Sequence, residues 1–239
     1  MKNLGMKDLA MNIETTVSHD GVELNYAYTG LSHDKCLALI IPFGLKLDLA
    51  ESFFDFYRDH YDVVALESRL ILAPEARKVA PEELAVDNHV EDLVSVLRAC
   101  GISRTILVGY CSGAGIALAA ANKYPELFLE LILVHGEYVL LEEDTCTTQF
   151  AADIDSLLSL AAQSEQHAGK IFEKVSSDRP IDNKSQLEGI DTPFTQVHFL
   201  HRYAMNYLAY KSADFKALAH SVPHKCLLLT GNRDLQANV

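Results

Sequence analysis

Short apolar runs alternate with longer amphipathic segments along most of the chain. The apolar runs are too short for helices and suit strands that are buried on both faces. They are CLALIIPFG at 36–44, YDVVALES at 61–68, RTILVGY at 104–110 and LFLELILVHG at 127–136. The segments that follow the first three are predicted helices: DLAESFFDFYRDH, the stretch 81–101, and SGAGIALAAANKY. Strands that alternate with helices predict an α/β fold, with a mostly parallel sheet and helices on both faces.

The two ends of the chain depart from this alternation. Residues 12–30 predict two strands around a turn at His19-Asp20-Gly21, because VELNYAY alternates apolar and polar positions. After residue 139 the next strand candidate is HKCLLLTG at 224–231, and TQFAADIDSLLSLAAQ and FTQVHFLHRYAMNYLAYKSADFKALAHS before it are helical in character. We therefore predict an α/β core formed by residues 1–139 and 223–239. Residues 140–222 are predicted to form a helical cap over one edge of the sheet.

The composition narrows the class of protein. The 239 residues include 20 Lys and Arg against 33 Asp and Glu, and this net charge of −13 disfavours nucleic acid or an anionic membrane as a partner. The five cysteines are scattered and form no CxxC pair, so we expect neither a zinc site nor a disulfide framework. The sequence shows no signal-peptide core and no run of 18 apolar residues, which predicts a cytoplasmic protein.

The stretch 104–126, RTILVGYCSGAGIALAAANKYPE, places a nucleophilic atom in a tight turn between a strand and a helix. Gly109 and Gly113 lie two positions on either side of Cys111, and small residues there let the chain bend sharply at the middle residue. Cys111 is therefore predicted at the tip of the turn, and Ser112 at the start of the helix. The helix N-terminus favours the thiolate, and the Ser112 N–H is predicted to face an oxyanion. The alternative is a small buried cysteine in a glycine-rich turn.

The motif GYCSGA resembles the nucleophile elbow of the α/β-hydrolase family, with cysteine in place of the usual serine, as in dienelactone hydrolases. The resemblance also includes DGVELNYAYTG, IIPFG and TGNRD. It implies a second oxyanion donor in the loop after the IIP strand, where Gly44 is the first candidate and Phe43 is close behind. Arg69, in ESRLIL, keeps a position of the family and is expected to be a structural ion-pair residue. The glycine spacing matches neither GxGxxG nor GK[ST], and we expect no cofactor.

The resemblance further implies a carboxylate and a histidine. Asp234, in TGNRDLQ after the last predicted strand, matches the position of the acid, and Glu137, in HGEY, is the alternative. The histidine of the family follows the acid after one further strand, whereas this sequence ends at Val239. The remaining candidates for the base are His135, at a strand end, and His201, on a cap helix. We expect a missing C-terminal segment or a partner chain to complete the site.

These residues predict a hydrolase or acyltransferase, of the esterase or thioesterase kind, that forms an S-acyl intermediate on Cys111. The substrate is expected to be a small-molecule ester or thioester, free or attached to a carrier. Hydrolysis and acyl transfer are both open, because thioester exchange is close to energetic balance. Two other functions are also open: a non-catalytic subunit that binds a partner, and a ligand-binding receptor on the same fold.

Overall fold

The computed structural model describes residues 11–140, 148–177 and 189–232, and the strands in these ranges form a seven-stranded sheet in the order β1-β2-β4-β3-β5-β6-β7. The strands are β1 (Ile13–Val17), β2 (Glu23–Tyr28), β3 (Cys36–Ile40), β4 (Asp62–Leu66), β5 (Thr105–Tyr110), β6 (Phe128–Val134) and β7 (Cys226–Leu229). The β1–β2 and β2–β4 pairs are antiparallel, and the other pairs are parallel. The predicted α/β fold with a mostly parallel sheet is confirmed.

Helices cover both faces of this sheet. The helices are α1 (Glu51–Tyr57), α2 (Val86–Ala99), α3 (Gly113–Lys123), α4 (Gln149–Ala161), α5 (Glu165–Ser177), α6 (Val197–Lys211) and α7 (Phe215–Ser221). Every residue of β3 and β4 is buried, because alternate side chains enter opposite layers. Leu39 packs in the layer that contains Phe54 of α1, whereas Ile40 packs in the layer that contains Leu93 of α2 and Ile116 of α3. This two-sided burial explains why the strands are apolar without interruption.

The helices between β6 and β7 have a small core of their own. Leu158 of α4, Ala168 of α5, and Leu200 and Tyr207 of α6 pack together in a cluster separate from the two sheet layers. Helix α5 did not emerge from the sequence pattern, because Ala168 and Ile171 are its only residues that are fully buried. The long helical segment predicted over 194–221 is divided into α6 and α7, and the Asp214 side chain caps α7 by accepting the Ala217 N–H at 2.9 Å.

The predicted helix over 81–101 is broken at Ala85, whose ψ of 148° is extended, so that a 3₁₀ turn over residues 81–84 precedes α2.

The Arg69 side chain is completely buried and forms two ion pairs. One is with Asp20, in the β1–β2 turn, and the other is with Asp92 of α2, at 3.5 Å. Arg69 therefore links the β1–β2 hairpin to α2 through ion pairs, which is a structural role. None of the described helices is long and apolar enough to cross a membrane.

Candidate active site

Cys111 occupies the turn between the end of β5 and the start of α3. Its φ of +54° lies in the left-handed region, which costs a non-glycine residue roughly 1 kcal/mol or more. Backbone hydrogen bonds hold it there. The Cys111 N–H donates to the Val134 carbonyl at 2.9 Å, and the Cys111 carbonyl accepts the N–H groups of Ala114 at 3.0 Å and Glu137 at 3.2 Å. The strained turn is thus fastened both to α3 and to the loop after β6.

The two glycines that flank Cys111 are required by sterics. A Cβ at residue 109 would lie 2.6 Å from the Cα of Ala114, and a Cβ at residue 113 would overlap the carbonyl oxygen of Ile40. Both obstacles are backbone atoms, which cannot rotate aside. Gly109 lets β5 approach the first turn of α3, and Gly113 lets α3 approach β3. Close approach of this kind is what the spacing around Cys111 predicts.

The amides near Cys111 point in different directions. Ser112 is the residue that caps α3, and its buried hydroxyl oxygen accepts the Phe43 N–H at 3.1 Å. The Gly44 N–H instead donates to the Ser68 hydroxyl oxygen at 2.8 Å, on the β4 side of the loop. Phe43, the second candidate from the sequence, is therefore the residue whose amide faces the turn that contains Cys111. Gly44, the first candidate, is directed toward Ser68.

Glu137 contacts the sulfur of Cys111. The distance from Sγ to the Glu137 Oε2 is 3.6 Å, within hydrogen-bonding range for a thiol donor. The backbone of Glu137 is clamped on both sides, because its N–H donates to the Cys111 carbonyl and its carbonyl accepts the Tyr210 hydroxyl at 2.5 Å. The structure therefore brings the alternative carboxylate of the sequence analysis directly to the candidate nucleophile.

An apolar cavity of about 550 Å³ opens beside Cys111, which forms part of its wall. Side chains from the loop after β3, from α1, from the end of β6 and from residues 190–203 line it, among them Leu45, Phe53, Val134, Ile190, Phe194 and Tyr203. Burial raises the pKa of the Tyr203 phenol, and the nearby Glu137 and Cys111 raise it further. Tyr203 therefore stays neutral in this cavity and can act as a hydrogen-bond donor. The half-buried sulfur has the open space beside it that chemistry on a substrate requires.

Neither candidate histidine is among the described residues that line the cavity beside Cys111. His135 directly follows β6, has a φ of +46°, is exposed, and donates its backbone N–H to the Leu229 carbonyl at 2.7 Å. His201 is half-buried on α6. Asp234 lies outside the described residues, so its predicted role stays a prediction.

Three side chains that the sequence did not single out support the site: His89, Tyr210 and Asn206. The Phe43 ring packs between the ring of His89, at 4.9 Å between centroids, and the ring of Tyr210, at 5.2 Å. His89 is buried, and its Nε2 donates to the Asn206 Oδ1 of α6 at 2.7 Å. Helix α6 thus supports the loop that carries the Phe43 amide as well as the loop that carries Glu137. Local sequence signals could not have shown this, since His89 and Asn206 are 117 residues apart.

Because His89 is buried, we expect the folded protein to lose stability in acid. Burial lowers the pKa of His89 from 6.5 to about 4, so the unfolded chain takes up a proton there at a higher pH than the folded chain does. The His89 contribution to stability is therefore complete above pH 6.5, is lost as the pH falls toward 4, and amounts to about 3 kcal/mol. Urea unfolding of wild type and of His89→Gln at several pH values in this window should show the smaller pH dependence in the variant. Parallel curves would refute the assignment.

The family of this protein is shown by its sequence. The sequence pattern of the α/β-hydrolase fold matches residues 44–210, which is more than half of the chain. The chain therefore belongs to the α/β-hydrolase family. Within the described residues, no group of three or more His, Cys, Asp and Glu side chains is arranged to hold a metal ion.

The chain is similar in sequence to a transferase and similar in fold to hydrolases. The chain is 26% identical over 208 residues to an L-allo-isoleucyltransferase from Pseudomonas savastanoi pv. glycinea, covering 83% of this chain and 70% of that protein. Its fold is similar to that of an enol-lactonase from Burkholderia xenovorans LB400, with a TM-score of 0.70, 16% identity, and coverage of 94% and 84%. An esterase from Exiguobacterium antarcticum is also similar, with a TM-score of 0.67, 14% identity, and coverage of 94% and 82%.

Proposed function

We propose that this protein is an acyltransferase that moves an acyl group from a thioester to a second acceptor through an S-acyl intermediate on Cys111. The observation that carries the proposal is the position of the Cys111 sulfur. It lies in a strained turn at the start of a helix, on the wall of an apolar cavity and 3.6 Å from a carboxylate oxygen. Hydrolysis is the same reaction with water as the acceptor.

In the proposed first half-reaction, the Cys111 thiol gives its proton to the Glu137 carboxylate, and Sγ forms a bond to the carbonyl carbon of the donor thioester. The π electron pair of the carbonyl moves to its oxygen. When that pair returns, the bond from the carbon to the donor sulfur breaks, and the departing thiolate takes the proton from Glu137. The second half-reaction is the reverse sequence with an acceptor thiol, alcohol or water, and it restores the free Cys111 thiol.

The oxyanion is proposed to be stabilised by two backbone N–H groups. Ser112 directly precedes α3, and the amides at the start of a helix have no partner within the helix. The Phe43 N–H faces the same turn and donates to the Ser112 hydroxyl oxygen in this structure. During the reaction the substrate oxygen would replace that hydroxyl as the acceptor. Gly44 is the weaker candidate, because its N–H is directed to Ser68.

Transfer is favoured over hydrolysis by the cavity and by one relative, the L-allo-isoleucyltransferase. An apolar lining disfavours water near the S-acyl bond and suits an acyl group with an apolar side chain. The isoleucyl group named in the relative from Pseudomonas savastanoi has such a side chain. Ile190 and Phe194, which precede α6, and Tyr203 of α6 supply part of the cavity wall, which supports the proposed role of residues 140–222 as a cap.

Intact-mass and peptide mapping with an acyl thioester tests this proposal. We expect a single acyl adduct, located on Cys111 and released by addition of an acceptor thiol. Cys226 is an exposed free thiol in the same molecule and therefore reports non-specific acylation. An adduct that forms on Cys226 at least as readily as on Cys111 would contradict the proposal and favour a non-catalytic binding protein.

A further inference from the structure

The position of the Glu137 carboxylate limits which acyl groups suit Cys111. The residue is held through its backbone by the Cys111 carbonyl and the Tyr210 hydroxyl, and neither contact uses its side chain. Tyr210 is itself buried, packed against Phe215 and against the position of Gly115 in α3. The carboxylate is therefore attached to a rigid support, and its Oε2 lies 3.6 Å from the sulfur.

An acyl group on Sγ would bring its own α-substituents into the same space. The atoms bonded to the α-carbon of an S-acyl group are three bonds from the sulfur and so lie about 3 to 4 Å from it. A substituent that points toward Glu137 meets a carboxylate oxygen, and one that points into the cavity meets the apolar walls formed by Leu45, Phe53 and Phe194. Near Sγ the structure thus presents one acidic and one apolar environment to the same α-carbon.

A positively charged substituent fits the acidic side. An ammonium group donates short, charge-assisted hydrogen bonds to a carboxylate, and these are about twice as strong as neutral ones. Tyr203 and Tyr210 lie close enough to the carboxylate that its charge contributes to the raised pKa of both phenols. The raised pKa keeps both phenols neutral, so neither places a second negative charge beside Glu137.

We propose that Glu137 makes this site selective for α-aminoacyl thioesters, by binding the free α-ammonium group while the apolar side chain occupies the Cys111 cavity. This inference rests on the proposed acyl transfer at Cys111 and adds the recognition of the α-ammonium. Glu137 is then a specificity-determining residue as well as the proposed proton acceptor.

A matched pair of substrates tests the inference. The probes are N-acetylcysteamine thioesters of leucine and of 4-methylpentanoic acid, which differ only in the α-amino group. The measured quantity is the ratio of kcat/KM for acylation of Cys111 by the two thioesters, determined for wild type and for Glu137→Gln. We expect the substitution to lower the leucyl preference by about 10- to 100-fold, as the loss of a charged hydrogen bond implies. Comparing the two proteins cancels the difference in intrinsic reactivity between the thioesters.

Two further variants complete the design. Glu130→Gln removes the same charge from an exposed position of β6 and should leave the ratio unchanged. Glu137→Asp keeps a carboxylate and should keep most of the leucyl preference, which separates recognition from any loss of folding. If Glu137→Gln slows both thioesters equally, Glu137 serves only as the proton acceptor and the inference is overturned while the proposed function stands. If neither thioester acylates Cys111 in wild type, the proposed function itself fails.

Discussion

Replacing Cys111 by alanine is expected to lower the rate of acyl transfer by about 10³-fold or more and to abolish the S-acyl adduct. The reason is that the reaction proposed here passes through a covalent bond to Sγ, and alanine offers no atom that can form it. The Glu137 carboxylate and the backbone amides of Ser112 and Phe43 would be retained, so the fold and the substrate cavity should survive. Transfer between two thioesters, followed by mass spectrometry of both products, measures the effect.

The matched control for this substitution is Cys226→Ala. Cys226 begins β7, is exposed, and lies outside the lining of the Cys111 cavity. We expect this variant to transfer acyl groups at the wild-type rate. Retention of full activity by Cys111→Ala would show that the turn does not carry the nucleophile, and the function would then have to be sought in binding.

The second large effect is expected for Gly113→Ala, which should lower the free energy of unfolding by about 3 kcal/mol. The added methyl group would overlap the Ile40 carbonyl oxygen and lie 3.0 Å from its carbon, so either β3 or α3 must shift. Both elements are part of the buried centre of the fold, and β3 leads into the loop of Phe43. Urea unfolding measures the loss of stability, and Cys111 alkylation by iodoacetamide reports whether the turn has changed.

Gly169→Ala provides the contrast. Gly169 lies within α5, and the nearest atom to an added Cβ is Val197 Cγ1, at 3.9 Å. Because alanine is favoured over glycine in a helix, this substitution should be neutral or should stabilise the protein by about 1 kcal/mol at most. Equal unfolding midpoints for Gly113→Ala and Gly169→Ala would contradict the steric account of the turn.

Much of the fold was predictable because its signals are local. The runs that became β3 to β6 are mostly apolar, which is typical of strands in the interior of a parallel sheet, and β3 and β4 are buried along their whole length. The break at Ala85 and the existence of α5 were not predicted. A helix that buries only Ala168 and Ile171 has too weak a pattern to be recognised without the neighbours it packs against.

The candidate site was also only partly predictable from the sequence. The place of Cys111 between β5 and α3 follows from Gly109 and Gly113, which are its close neighbours in sequence. The direction of the Phe43 and Gly44 amides does not, since it depends on hydroxyl groups of Ser112 and Ser68 that other elements supply. The sequence could name both loop residues but could not choose between them.

The alternation of strands and helices and the sharp turn at Cys111 could be predicted from the amino acids alone, because both depend on residue size and polarity over a few consecutive positions. The contact between Glu137 and Sγ could be found only in the folded chain. That contact brings together residues 26 positions apart, and it depends on the pairing of β5 with β6 and on Tyr210 of α6. Distances of this kind are set by the packing of whole elements, which no short stretch of sequence encodes.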